Sequence, residues 1–131
     1  MQVTQFEKGE KLMPSKDIEH ILTVLQKRDD ILKNNGSMKS YNHQYDILKR
    51  YCKTIINAGQ QSELAFLLDS ENISYKSDMA GILYNSYPEK CALILNEISK
   101  MSVENGLPFY YINLTVSAYM TLEIGIPKDF P

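Results

Sequence analysis

Tryptophan is absent from this 131-residue chain, which holds only two cysteines and two histidines. None of the four falls in C-x-x-C or H-x-x-x-H spacing, so the common zinc sites are excluded and no metal or cofactor is expected. Disulfide stapling is not required, because a chain of this length buries about two-thirds of its unfolded surface. Cys52 and Cys91 both fall on apolar helical stripes and read as reduced core thiols; whether they lie close enough to bridge is left open by sequence. No glycine-rich loop follows a strand, so phosphate-cradling motifs are missing. No apolar run is long enough to span a bilayer. The opening MQVTQFEKGEKLMP carries charges where an export signal needs apolar residues, so a cytoplasmic protein away from the membrane is expected. Positive charge is not in excess either. Fourteen Lys and Arg against sixteen Asp and Glu give a net charge of −2, which argues against direct nucleic-acid binding.

What the chain does have is apolar spacing of helical period. Residues 1–14 are polar apart from Val3, Phe6, Leu12 and Met13, and read as an arm that Phe6 would pin. Ser15 can cap a first helix whose Ile18, Ile21, Leu22 and Leu25 recur at three and four residues, ending at Asn34-Asn35-Gly36. The mixed-sign run Lys27-Arg28-Asp29-Asp30 reads as a solvated face of that helix. A second helix over 37–58 carries the stripe Tyr41, Tyr45, Leu48, Cys52 and Ile55, and Gly59 can end it in the left-handed conformation. These two helices make an antiparallel hairpin. A short helix over 61–68 points Leu64, Leu67 and Leu68 one way. A polar turn over 69–72 follows, then a helix over 73–87 with Met79, Ala80, Leu83 and Tyr87 inward. Pro88 opens the next helix at the position where its missing N–H costs nothing. The last, 108–124, is apolar almost all round, which predicts burial. YYINLTVSAYM within it has β-branched and aromatic character, so a strand competes there; length and the small Ser117 and Ala118 favour helix. The expectation is one all-α domain over 1–131, of about six helices stacked as antiparallel hairpins.

The turn and following helix, LLDSENISYKSDMAGIL, resemble a HEAT-like unit. Leu67-Leu68-Asp69 stands for the leucine-ended helix and its acidic turn, Tyr75-Lys76 for the apolar-basic pair, and Met79-Ala80 for the small pair. Tyr75 and Met79 are larger than the usual residues there, which implies wider helix spacing. YPEKCALILNEI and SAYMTLEI complete a second unit. With Ala118, Met120, Thr121 and Leu122 at its end, the stretch is similar to a family of small bacterial HEAT-like proteins of otherwise unknown function. The likeness covers Leu64 to Glu123, so 61–124 is expected to form a HEAT-like pair in an α-α superhelix.

Some small bacterial helical proteins of this size are immunity proteins, which bind a companion toxin and block its active site. The resemblance implies a protein partner of that kind, a toxin domain and plausibly a nuclease. A general HEAT-like scaffold or adaptor is the competing expectation. A basic toxin site would be met by carboxylates, which points to Asp69, Glu71 and Asp78, with Tyr75, Tyr84 and Tyr110 as aromatic anchors. Asp69 and Glu71 also have a purely structural reading, capping the next helix or pairing with a basic residue such as Lys76 in a neighbouring unit. Catalysis is not expected: His43 and Cys52 lie nine residues apart on one helix, about 180° from each other, and His20 has no nucleophile beside it. Oligomeric state is not readable.

Overall fold

Helix is the sole regular structure between residues 12 and 131, the part of the chain described by the structure, a computed structural model. The described residues form five α-helices and four 3-10 helices, the latter in two pairs before the third and the fifth α-helix, and include no strand. The fold is all-α. The stretch 109–122, where a strand competed, is helical.

Helix α1 runs over Leu12–Lys33. It therefore begins three residues before the Ser15 cap that the sequence suggests. Pro14 lies in its first turn, where backbone N–H groups have no helical partner in any case. The rest of the expected arm, with Phe6, lies outside the described residues. The helix closes as a Schellman turn: Gly36 N–H donates to the Ile31 carbonyl at 2.7 Å and Asn35 N–H to that of Leu32 at 3.3 Å. Asn35 holds the left-handed position at φ 54°. A Cβ on Gly36 would approach Ile31 Cγ2 to 3.0 Å, so any other residue there would have to press the Ile31 side chain aside.

Helix α2, Met38–Asn57, is capped by the Ser37 hydroxyl, which accepts from Ser40 N–H at 3.1 Å. It ends in a second Schellman turn with Gly59 at φ 75°. The hairpin is antiparallel, since His20 meets Tyr51 at one end while Arg28 meets Tyr41 further along. Leu48, Cys52 and Ile55 bury against α1, as their stripe requires.

The helix expected over 61–68 is replaced by two 3-10 helices, Gln61–Glu63 and Ala65–Asp69. At three residues per turn, positions three apart share a face. Leu64 and Leu67 accordingly go inward, while Glu63, Phe66 and Asp69 share the outside. Asn72 then caps α3, Ile73–Ile82, its side-chain oxygen accepting from Ser74 and Tyr75 N–H at 2.9 and 3.1 Å. This helix stops five residues before the expected Tyr87, and residues 83–87 are turn. Pro88 opens α4, Pro88–Ser99. A 3-10 helix at Phe109–Tyr111 leads into α5, Ile112–Ile124. Helix α3 is the centre of the packing, touching α1, α4, α5 and the 3-10 helix before it. Cys52 and Cys91 are both free and buried.

Candidate functional site

Two adjacent charges of α1 enter the interior, contrary to the solvated face expected of Lys27-Arg28-Asp29-Asp30. Arg28 is 4% exposed and Asp29 0%. The Arg28 guanidinium grips Asp78 of α3 with Nε and Nη2, at 2.8 and 2.9 Å, and Nη1 donates to the Tyr41 carbonyl. Its plane lies 3.6 Å from the Tyr41 ring centroid and 4.5 Å from that of Tyr45. Burial pushes the Asp78 carboxyl up from its ordinary value, and the guanidinium opposes that shift. Asp29 is held from three directions. Tyr111 donates at 2.6 Å, the Asn72 amide at 3.1 Å, and the Lys33 ammonium lies at 3.2 Å. One short segment of α1 thus ties together α2, α3, the turn before α3 and the turn before α5.

Ser74 sits beside this hub on α3, fully buried, and among the described residues its hydroxyl has no partner. An unpaired buried hydroxyl costs about 1–3 kcal/mol, and alanine has the higher helix propensity. Ser74→Ala is therefore expected to raise stability by roughly 1 kcal/mol, read as a higher urea midpoint at unchanged m value.

A cavity of about 370 Å³ opens against the Arg28–Asp78 pair, Tyr45 and Leu114. The C-terminal tail roofs it, with Phe130 6.0 Å from the Tyr45 ring and Asp129 3.9 Å from the Lys49 ammonium. Burial pushes the Tyr41 and Tyr45 hydroxyls upward, so both stay protonated at neutral pH. It also pushes the thiols of Cys52 and Cys91 up to about 12 and about 11, which leaves neither as a thiolate nucleophile at neutral pH. His20 Nδ1 shares a hydrogen bond with the Tyr51 hydroxyl at 2.9 Å, and His43 is exposed on α2. Among the described residues no three metal-ligating side chains gather, and no helix is long and apolar enough to cross a membrane.

The six residues expected at a partner surface are divided by the fold. Asp69 and Glu71 are exposed in the turn before α3, where Asp69 pairs with Lys90 at 2.9 Å. The Asn72 side chain, rather than Asp69 or Glu71, caps the helix. Tyr75 bonds the Gln26 side chain, and Tyr110 stacks edge-on against Tyr111 at 4.7 Å, so both stand beside the second half of α1. Tyr84 is half-buried against the core. Asp78 is corrected outright: at 5% exposure and locked to Arg28, it offers no carboxylate to a partner.

Two exposed features were missed. Phe66 is 53% exposed between Glu63 and Asp69 on the outer face of the 3-10 segment. Its spacing of three from each acid was the available signal. The second is the outer side of α5. Leu114 and Ala118 are its only buried residues, against the all-round burial that its composition predicted, and Ile112, Val116, Tyr119 and Met120 are exposed. Comparison of the chain with family models, curated proteins and solved structures finds no match to any of them.

Proposed function

We propose that this chain is a non-catalytic protein-binding module, and specifically an immunity protein that binds and blocks a toxin domain with a basic active site. The observation that carries the reading is the exposed Phe66 set in line with Glu63 and Asp69, with Glu71 following in the turn. Aromatic side chains are favoured anchors of protein interfaces, and a carboxylate rim favours a basic partner through both steering and register. The resemblance read from Leu64 to Glu123, to small bacterial HEAT-like proteins in which stacked hairpins would leave outer turns and faces free for binding, points the same way.

The test is to look beside this gene for a toxin domain, to ask whether this chain protects cells that express it, and to measure association kinetics of the purified pair; a gene neighbourhood without a toxin domain counts against the reading. Phe66→Ala is expected to weaken binding by at least about 2 kcal/mol, near thirtyfold, as an anchor should. Asp69→Lys is expected to slow association while leaving the melting temperature in place, and added salt should shrink that difference. Full protection by Phe66→Ala with unchanged kinetics overturns the surface. Binding without neutralisation marks an adaptor instead.

A further inference from the structure

Helix α5 turns an apolar side to solvent. At 100° per residue, Ile112, Val116, Tyr119, Met120 and Glu123 share one face, opposite the buried Leu114 and Ala118. Val116 is 56% exposed, Tyr119 55%, and Phe109 in the turn just before the helix 75%. The five apolar side chains leave on the order of 500 Å² in water, at about 150–250 Å² for each aromatic residue when whole. With Glu123 within it and Asn113 at its edge, the face lies in the upper part of the about 300–600 Å² of the largest apolar patch on a monomer, a size at which such patches are often functional.

We infer that this face pairs with the same face of a second copy, the two α5 helices running antiparallel. The placement of its one charge selects that orientation. Glu123 lies in the last turn of its own helix, where the carbonyl end disfavours an anion. A two-fold axis between Val116 and Tyr119 sets Glu123 of one copy beside Ile112 of the other. There it meets the positive amino end of the opposing helix. A parallel pair would instead bring the two Glu123 carboxylates together. The face is thus complementary to itself in one orientation. A membrane surface is the poorer fit, since such helices flank their apolar side with Lys and Arg, and α5 has neither. Because Phe66 and its carboxylates lie on another element, the pairing is independent of the toxin-binding reading.

Sedimentation equilibrium of the full chain from about 1 to 200 µM covers the range in which a micromolar pair dissociates. The wild type is expected to interconvert between monomer and dimer, and Val116→Glu, at an exposed position, to weaken the dimer at least tenfold while leaving the melting temperature unchanged at concentrations where both chains are monomeric. Asn113→Lys should tighten the pair by meeting Glu123 of the other copy, and Asn113→Glu should loosen it. A wild type that stays monomeric throughout, or a Val116→Glu chain that dimerises as well as wild type, overturns the proposal. Equal effects of Asn113→Lys and Asn113→Glu overturn the antiparallel register. Val116→Glu should still protect against the toxin and Phe66→Ala should still dimerise, so either reading can fail alone.

Discussion

Arg28→Met is expected to lower stability by about 3–5 kcal/mol at pH 7, the cost of leaving one member of a buried ion pair without the other. Asp78 would keep its burial at 5% exposure and lose both guanidinium hydrogen bonds, at 2.8 and 2.9 Å. The lost stacking on Tyr41 adds to this. The deficit should depend on pH in a direction the structure dictates. Burial already raises the Asp78 carboxyl above its ordinary 3.8, and Arg28 is what opposes the rise. Without Arg28 the folded-state value climbs further, so the native state binds a proton that the unfolded chain releases. Stability then falls as pH rises through that raised value and is fully recovered only below the unfolded value. The gap between wild type and Arg28→Met, measured by urea unfolding, should therefore narrow from pH 7 toward pH 4. Arg28→Met with Asp78→Leu should regain most of the loss, because an apolar replacement of the whole pair removes both desolvated charges. A gap that stays constant with pH would mean that Asp78 is not the unpaired group.

How much of this was legible in the sequence depends on which signal each residue gave. The hairpin of α1 and α2 was, because its stops are local chemistry: Asn-Asn-Gly after α1 and Ala-Gly after α2. Pro88 marked the start of α4 equally well. The three buried charged residues were hidden by composition yet visible in register. Arg28 and Asp29 stand three and four residues after Leu25 and four and three before Leu32, on the stripe that buries both leucines. Asp78 stands four before the buried Ile82 in the same way. A charged residue at a core position is a request for a buried partner, and reading the run as a solvated face ignored its phase. The short segment over 61–68 failed for another reason. Leu64, Leu67 and Leu68 fit periods of 3.0 and 3.6 about equally, and only the exposed Phe66 with acids three away on each side tips the choice. Helix α5 failed because apolarity was equated with burial. A chain whose last helix has neighbours on one side only can bury only that side, whatever its composition.

The largest remaining effect is expected at Asp29, the carboxylate that fastens the start of α5 to α1. Asp29→Ala should cost roughly 3 kcal/mol or more, since each hydrogen bond to a charged group contributes about 1.5–3 kcal/mol and the groups left behind are buried. Tyr111, only 7% exposed, would keep a hydroxyl with no acceptor, and the Asn72 amide would lose its oxygen at 3.1 Å. Asp29→Asn should cost less, because its carbonyl can still accept from Tyr111 while its own amide meets donors on the other side. Tyr111→Phe should recover part of the Asp29→Ala loss when the two are combined, giving a coupling energy of about 1–3 kcal/mol in a double-mutant cycle. The loss should also be uneven along the chain. Asn72 caps α3 and Tyr111 precedes α5, so releasing both from Asp29 should speed amide exchange at Ser74, Tyr75 and residues 107–112 before it speeds exchange in α2. Uniform acceleration across all five helices would show that Asp29 supports the whole core and not the seam between α1 and the start of α5.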